Sequence, residues 1–462
     1  MEYREEEDSM GSVQVPKEAY YGSQTQRAVD NFPDSGFKMP LALIRALALI
    51  KVAAAKVNTE LGLLDKKKAE AVATAGRQVM NGRLDDQFVV DLFQTGSGTS
   101  TNMNMNEVLA SRANEILTGH KGGRTPVHPN DHVNLGQSSN DVIPSALHIA
   151  AALRLRDRLL PALVTIKDAL ALKSNEFNNI YKIGRTHLQD AVPMTLGEEF
   201  SGYARQMELC IHRIEAVFER LCELALGGTA VGTGINAHPE FAGKVIATIN
   251  SEAKMDFREA CNHFEAQAAR DAVLEVSGVL KTTAAGMAKI ANDIRWLGSG
   301  PRCGIGELKL PALQPGSSIM PGKVNPVIPE AVIQMAYQVM GNDTTILLAA
   351  QSGSFELNVT LPLIAHNLLQ SIDFLALAGN AFAHKCINGL IADQKVCNGY
   401  LERSLAIVTA LVPYIGYDHA AILAKRAYQT GKSIRQVAME EEIMSGEALE
   451  RILSVKVIEP LD

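Results

Sequence analysis

The segment LALIRALALIKVAAAKVN, which follows Pro40, is apolar on more than one face of a helix. Such a helix is stable only when neighbouring helices cover it on several sides. Hydrophobic residues make up 47% of the 462-residue chain, but aromatic residues make up only 5%. This composition is typical of helices rich in Ala, Leu, Ile and Val and is less typical of β-sandwiches. The sequence therefore predicts an all-α protein.

Other segments with helical periodicity divide the chain into three parts. The predicted helices cover about 40–58, 66–80, 143–179 with a kink or break at Pro161, 195–226, 265–297, 327–350 and 358–383. Residues 1–40 show no period and predict an ordered but irregular arm. We expect an N-terminal helical domain (1–138), a central helical-bundle domain (139–390) and a small C-terminal helical domain (391–462).

Charge and cysteine content exclude several classes of protein. Forty-four basic and fifty-one acidic residues give a net charge of −7, which argues against nucleic-acid and membrane partners. The acidic N-terminus lacks the apolar region of a signal peptide, and no uninterrupted apolar run reaches the length of a membrane span. Six cysteines without C-x-x-C spacing predict buried, reduced thiols and no metal site. We expect a cytoplasmic protein.

The most informative polar segment is GSSIMPGKVNP, residues 316–326. Two glycines enclose two serines, and a lysine precedes an Asn-Pro pair that leads into an apolar helix. Asn325 suits the N-cap and Pro326 the first helical position. The spacing between the glycines, and the valine after the lysine, exclude a phosphate-binding P-loop. Backbone amides, a cation and a helix N-terminus together favour binding of a small anion.

Two further polar clusters each lead into a helix. They are QTGSGTSTNMNMNE at 94–107 and VHPNDHVNLGQSSND at 127–141. Each can cap its helix or line a binding cleft, and two such clusters in one chain favour the cleft. In the second, Asn140 or Asp141 is the expected cap, with Pro144 tolerated in the first turn.

Two connectors complete the pattern. GRTHLQDAVP at 184–193 is expected to be a short polar connector, and His187 lies in it between Thr186 and Gln189. A lone histidine is more often structural than catalytic, but this setting favours a functional role. The glycine-rich segment 226–236 lacks the spacing of a dinucleotide loop and predicts a tight connection between helices.

Four of these segments follow one another along nearly the whole chain, at 94–107, 127–141, 184–193 and 316–326. In this order they resemble the motifs of the fumarase/aspartase superfamily, and most closely those of class II fumarases. The resemblance implies an all-α homotetramer with a central bundle of long helices and active sites shared by three subunits. It also implies reversible hydration of fumarate to L-malate, a step of the tricarboxylic acid cycle, without metal or other cofactor.

The resemblance assigns roles to individual residues. Ser317 is expected to remove the C3 proton, His187 to protonate the departing hydroxyl, and Glu330 to orient and charge that histidine. The substrate-binding residues implied are Ser97, Gly98, Thr99, Ser138, Ser139, Asn140, Thr186, Ser318, Lys323, Val324 and Asn325. A secondary dicarboxylate site is implied at His128, Pro129, Asn130 and Asp131, and the alternative for the same residues is a plain turn.

The chemistry explains why such residues would be needed. Removing a proton next to a carboxylate places a second negative charge on that carboxylate. Preorganised donors aimed at its oxygens are expected to be the largest catalytic contribution, on the order of 3 kcal/mol for each well-placed group. Lys323 and Asn325 are candidates for this role, and backbone amides around Ser317 would favour its alkoxide.

Two alternatives remain open at this point. Aspartate ammonia-lyases share the loop and the type of intermediate, and KVNPVIPE at 323–330 is somewhat similar to theirs. The Ser138-Ser139 pair and the His-Pro-Asn-Asp run favour a hydratase. A non-catalytic helical scaffold is the other alternative, but a scaffold has no need for Ser317, Lys323 and His187.

Overall fold

The computed structural model describes residues 2–453, and helices dominate it, as the sequence predicts. Seventeen α-helices lie in this range: α1 (Ser23–Asn31), α2 (Leu41–Glu60), α3 (Lys66–Met80), α4 (Thr99–Thr118), α5 (Ser139–Arg154), α6 (Leu160–Glu176), α7 (Leu196–Leu221), α8 (Phe241–Ala253), α9 (His263–Ala268), α10 (Asp271–Leu297), α11 (Val327–Ala350), α12 (Leu361–Lys385), α13 (Gln394–Arg403), α14 (Val412–Ile415), α15 (Tyr417–Thr430), α16 (Ile434–Glu440) and α17 (Gly446–Leu453). The four longest, α7, α10, α11 and α12, have 24 to 27 residues each. The expected all-α class with long helices is confirmed.

The strands of the described residues are few and short, and they pair two by two. The pairs are β1 (Tyr3–Asp8) with β2 (Gly11–Pro16), β3 (Tyr181–Thr186) with β4 (Gln189–Thr195), β5 (Glu223–Leu224) with β6 (Arg258–Glu259), and β7 (Leu308–Lys309) with β8 (Ile391–Ala392). Only the β5–β6 pair is parallel. These pairs therefore connect and brace helices instead of forming a layer of their own.

The chain forms two compact units. The first comprises residues up to Pro161 together with Cys210–Ala284 and Met335–Ala376. The second comprises Ala162–Leu209, Ala285–Gln334 and the residues from Leu377 onward. The three-domain division at 138 and 390 remains a prediction, because compactness alone does not show which segments fold independently.

Helix α2 organises the first unit. Fourteen of its twenty residues are buried, as the apolar run predicts, and α2 packs against α3, α5 and α8. Asp65 begins α3, because its carboxylate accepts hydrogen bonds from the backbone amides of Lys67 and Lys68. That cap satisfies amides that have no partner within the first turn of a helix.

Two predicted helices are each divided in the structure. A π-helical turn at Leu155–Leu159 separates α5 from α6 just before Pro161, where the sequence predicts a kink or break. Proline lacks a backbone N–H and its ring crowds the preceding turn, so a widened turn relieves the conflict. The prediction of one helix over 265–297 is wrong: Ala269 is extended and separates α9 from α10, and Asn262 caps α9.

The prediction of an irregular N-terminal arm is also wrong. Strands β1 and β2 form an antiparallel hairpin, and α1 follows. The burial of β1 alternates between exposed and half-buried residues, but its run of acidic residues hides this period in the sequence. The Arg4 guanidinium fixes the hairpin by donating to the carbonyl oxygens of Pro16, Ala19 and Tyr21 at 2.7–3.0 Å.

A buried glutamate of α4 holds the start of α1. The Glu107 carboxylate accepts hydrogen bonds from the backbone amides of Gly22, Gln24 and Thr25 and from the Thr25 hydroxyl, at 2.6–3.0 Å. Burial raises the pKa of Glu107, while these donors lower it. The helix thus takes its cap from a residue more than 80 positions away in the sequence.

In the second unit, a small apolar core joins the last helices. Ile407, Leu411, Leu423, Leu449 and other buried residues form this cluster between α15, α16, α17 and the 3₁₀ segment Leu405–Leu411. The capping box at the start of α16, in which Ser433 and Gln436 bond each other's backbone amides, fixes its direction.

The cysteine prediction is confirmed for four residues and wrong for two. Cys210, Cys222, Cys386 and Cys397 are buried, whereas Cys261 and Cys303 are exposed, and all six are free thiols. The two exposed cysteines lie in loops, which carry less apolar packing than helices.

Among the described residues, one segment, Leu361–Gly389, is long and apolar enough to cross a membrane by length and composition alone. Of its most apolar window, 67% is buried inside the protein. The core helix of a helical bundle has the same properties, so this segment is weak evidence for a membrane span.

Candidate active site

The loop of residues 316–326 closes on itself. The Gly316 amide donates to the Lys323 carbonyl oxygen at 2.7 Å, and a Cβ at Gly316 would lie 2.7 Å from that same oxygen. Only glycine therefore permits this closure. Inside the loop, the Ser317 hydroxyl oxygen accepts hydrogen bonds from the amides of Ile319 (3.2 Å) and Met320 (2.9 Å). Two amide dipoles directed at one oxygen favour negative charge on it.

Asn325 does not cap a helix, contrary to the prediction. Helix α11 begins at Val327, and the first helical bond runs from the Glu330 amide to the Pro326 carbonyl. The Asn325 side chain instead donates to the Gly316 carbonyl at 2.7 Å and accepts from Lys323 Nζ at 2.6 Å. These two bonds compete with capping and hold the lysine over the loop.

His187 lies at the tip of a β-hairpin, where the sequence predicts a plain connector. His187 and Leu188 form the two-residue turn between β3 and β4, with φ angles of 56° and 60°. A hairpin turn with positive φ at both positions matches the twist of the strands, but Asn and Gly usually occupy it. Thr186, His187 and Leu188 are all exposed in the single chain.

A buried cluster of charges lies at the base of this hairpin. Lys182 contacts the carboxylates of Glu199 at 2.7 Å and Glu307 at 3.2 Å, and Arg185 pairs with Glu307 at 2.7 Å. Lys182 and Glu307 are almost fully buried. Because a buried charge without its partner is very costly, these contacts fix the strand that leads to His187.

Ser138, Ser139 and Asn140 lie at the start of α5 in the first unit. Ser138 is the N-cap, in place of the expected Asn140 or Asp141, and forms a capping box with Asp141. The Asp141 carboxylate also accepts bonds from the amides of Gly227 and Thr229 at 3.1 and 3.0 Å. Burial raises the pKa of Asp141 to about 6, although these amides lower it.

The start of α5 is therefore held by its own capping box and by the backbone of residues 227–229. The predicted first-turn position of Pro144 is wrong as well, since Pro144 is the sixth residue of α5. The side-chain amide nitrogen of Asn140 donates to the Ala230 backbone carbonyl at 2.8 Å. The glycine-rich segment 226–236, expected to be a tight connection between helices, thus packs directly against the start of α5.

Ser97, Gly98 and Thr99 lie at the start of α4 in the same unit. The hydroxyl oxygens of Ser97 and Thr99 are 2.8 Å apart, and Gly98 takes a left-handed conformation with φ of 75°. Gln94 satisfies the first turn of α4 by accepting from the amide and hydroxyl of Thr101. The cluster thus forms the start of α4, and Asn102 and Met103 of the same segment line a pocket, while its role in binding stays a prediction.

That pocket has a volume of about 340 Å³ and opens beside the start of α5. It is lined by Asn102, Met103, Asn134, Gly136, Gln137, Ser138, Ser139, Thr229, Ala230, Ile235 and Asn236. All of these residues are uncharged. Asn102 donates to the Ser139 hydroxyl oxygen at 3.1 Å, which joins α4 to the start of α5.

His128, Pro129, Asn130 and Asp131 form a turn that leads into a short π-helical segment, Pro129–Val133. His128 Nδ1 accepts the amides of Asn130 and Asp131, both at 3.2 Å, and lies 3.4 Å from the Asp131 carboxylate. These contacts explain the turn without a ligand. The secondary dicarboxylate site remains a prediction.

The structure assembles the predicted residues into separate groups. Ser317, Ser318, Lys323, Val324 and Asn325 share one loop, with Glu330 on the helix that follows it. Thr186 and His187 share the hairpin tip, and the remaining substrate-binding candidates lie at the starts of α4 and α5. Within residues 2–453 of a single chain, no hydrogen bond or ion pair joins His187 to Glu330, so their pairing also remains a prediction.

Lys51 of α2 is completely buried, and none of the sequence motifs described above includes it. Its ammonium donates to the side-chain oxygens of Asn134 and Gln137, two residues that line the pocket. The signal was present as a lysine within the apolar run 41–58. A cation at such a position is costly unless it serves a polar site.

Comparison with known proteins identifies the family. A family model described as "Lyase" matches residues 11–341, and one described as "Fumarase C C-terminus" matches residues 407–458. A protein of Nitrosomonas europaea named "Fumarate hydratase class II" is 55% identical over 438 residues, which are 95% of each chain. The chain belongs to the class II fumarase family.

Other class II fumarases agree in sequence and in structure. The Neisseria meningitidis protein of the same name is 51% identical over 98% of each chain. The crystal structure of class II fumarase from Schistosoma mansoni superposes with a TM-score of 0.95 and 42% identity, covering 100% of both chains. The resemblance that the four polar motifs indicate is thus confirmed over nearly the whole length of this chain.

Proposed function

We propose that this protein catalyses the reversible addition of water to fumarate, giving L-malate. The observation that carries this choice is the match over 95–98% of the chain to proteins named class II fumarate hydratase, at 50–55% identity. The polar loop, the hairpin tip and the pocket supply side chains suited to this reaction.

In the dehydration of L-malate, we assign the first step to Ser317. As an alkoxide, which the two donating amides favour, its oxygen takes the proton from C3, and the electron pair of the broken C–H bond moves onto the adjacent carboxylate. Lys323 and Asn325, joined at 2.6 Å in the same loop, would stabilise the resulting dianionic carboxylate. Ser318 and Val324 would contact the substrate through the same loop.

The second step removes the hydroxyl group from C2. His187, at the hairpin tip, donates a proton to it directly or through a water molecule, and the electron pair of the carboxylate forms the C2–C3 double bond. Glu330 would orient His187 as a neighbouring carboxylate. Thr186 and the residues at the starts of α4 and α5 would hold the carboxylates of the substrate.

We further propose a homotetramer whose active sites combine residues from three subunits, and a place in the cytoplasm. Two features support the shared site. His187 and Glu330 do not contact each other in one chain, and the loop exposes Ile319 (85%), Met320 (49%) and Val324 (47%). Exposed apolar residues beside a polar site are typical of surfaces that a partner covers.

A direct test is incubation of the purified protein with L-malate and, separately, with L-aspartate, while fumarate is followed by its ultraviolet absorbance. We expect fumarate from malate only. Fumarate from aspartate alone would show instead that the protein is an ammonia-lyase, and no product from either would support a scaffold.

A further inference from the structure

Lys51 presents an energetic problem in the first unit. It lies in the middle of α2 with 0% exposure, and its Nζ donates to Asn134 Oδ1 at 2.9 Å and Gln137 Oε1 at 3.0 Å. Burial of an ammonium group costs several kcal/mol or more unless an opposite charge or good hydrogen bonds compensate. A methionine would fill the same space without this cost.

The charge of Lys51 is not cancelled by an ion pair. Among the described residues, no carboxylate lies within 4.0 Å of its Nζ, and both of its hydrogen-bond acceptors are neutral amides. Burial lowers the pKa of Lys51 to about 7, and Asp141 of α5 is the charged group that raises it again. At a pH near 7 the ammonium form is therefore only partly populated, and below that pH the charge has no carboxylate in contact with it.

The acceptors of Lys51 belong to one hydrogen-bonded hub. Asn134 Oδ1 also accepts from Asn102 and Asn106 of α4, both at 3.2 Å. The side-chain amide nitrogen of Asn134 donates to the Gln137 backbone carbonyl at 3.1 Å. The hub joins α2 and α4 to the segment that leads into Ser138, the cap of α5. Movement of the lysine would therefore move the start of α5.

The same hub forms one wall of the 340 Å³ pocket. Asn134 and Gln137 line it, and Lys51 lies directly behind them. Since every lining residue is uncharged, a dianion entering this pocket meets no cation on the part of its wall that one chain supplies. The N-terminus of α5 supplies a partial positive charge. The protonated Lys51 ammonium, buried behind the amide groups of Asn134 and Gln137, supplies a full positive charge. Its field is weakly screened because the surroundings have a low dielectric constant.

We propose that Lys51 is a positioning residue for the dicarboxylate substrate: it supplies a positive field to this pocket and fixes Asn134 and Gln137 in the pocket wall. The inference rests on the proposed function, because it assumes that a dicarboxylate is the ligand. Lys51 does not touch the reacting atoms, so it acts on binding more than on the chemical step.

The test compares Lys51→Met, which keeps the length of the side chain and removes its charge, with Lys56→Met, an exposed lysine on the same helix. We expect Lys51→Met to raise KM for L-malate about tenfold or more and to leave kcat within about threefold, a loss on the scale of one charged interaction. Lys56→Met should match the unmodified protein. An unchanged KM, or a loss confined to kcat and thermal stability, would overturn the proposal.

A binding measurement separates charge from packing. Isothermal titration with succinate at about pH 6.5 and about pH 8.5 should show affinity of the unmodified protein falling severalfold as Lys51 loses its proton. Lys51→Met should bind succinate weakly, with a smaller change between the two pH values. If that variant does not fold, Lys51→Gln is the second variant, and affinity for succinate equal to that of the unmodified protein at about pH 6.5 contradicts the proposal. Absence of malate turnover by the unmodified protein would instead refute the proposed function.

Discussion

Ser317 depends on the backbone around it for any chemistry beyond that of an ordinary hydroxyl. Closure of the loop between Gly316 and Lys323 turns the amides of Ile319 and Met320 toward its oxygen. The sequence indicates the glycines, the serines and the lysine, so this part of the site is predictable. The role of Asn325 is not, because an asparagine before a proline favours a cap, and only the folded loop shows the competing bonds to Gly316 and Lys323.

We expect Ser317→Ala to lower kcat by several orders of magnitude, since it removes the proposed base while the amides remain. Assembly and thermal stability should change little, because the hydroxyl contacts only its own loop. Steady-state kinetics with L-malate and size-exclusion chromatography measure the two effects. Turnover of Ser317→Ala close to that of the unmodified protein would exclude this serine as the base.

At the scale of elements, the sequence indicates helices well and hairpins poorly. The helix α2 follows directly from its apolar run, whereas the sequence of β3 and β4 predicts only a connector because their turn, His187-Leu188, lacks the usual Asn or Gly. The wrong prediction for the cap of α5 has a related cause. Asp141 bonds amides of Gly227 and Thr229, and such long-range partners cannot be recognised from neighbouring residues.

Glu107 offers the clearest test of a long-range cap. Replacement by glutamine keeps its size but turns an amide NH₂ toward backbone donors, so hydrogen bonds to Gly22, Gln24 or Thr25 are lost. We expect the free energy of unfolding to fall by about 2–3 kcal/mol. A thermal melt detects this loss of stability, and limited proteolysis should cut the variant sooner in the β1–β2 hairpin and α1. Glu70→Gln, on an exposed position of α3, is the control, and equal melts for both variants would contradict the role.

The exposed face of α11 bears on the proposed assembly of the chain into a tetramer. Between Met335 and Ala350 its exposed positions include Tyr337, Gly341, Thr344 and Leu348, and none of its exposed residues is charged. The one acidic residue of this segment, Asp343, is buried and paired with Ser277 and Lys281. A glycine among apolar residues permits close helix packing, so this face suits an interface between subunits.

We expect Leu348→Asp to reduce the assembled form and, with it, malate turnover, because a carboxylate buried in an apolar interface is costly. Light scattering coupled to size-exclusion chromatography, over a range of protein concentrations, measures this. Tyr428→Asp changes another exposed apolar residue, on the charged surface of α15, and should leave assembly intact. Unchanged mass and turnover for Leu348→Asp would remove this face of α11 from the interface.

The hairpin that carries His187 has one more consequence. A left-handed backbone conformation costs a residue other than glycine roughly 1–2 kcal/mol, and here two successive residues adopt it. The buried charges of Lys182, Arg185 and Glu307 must outweigh that cost. On warming, order should therefore be lost at this tip before the helices melt, and the temperature at which activity fails would lie below the temperature at which the protein unfolds.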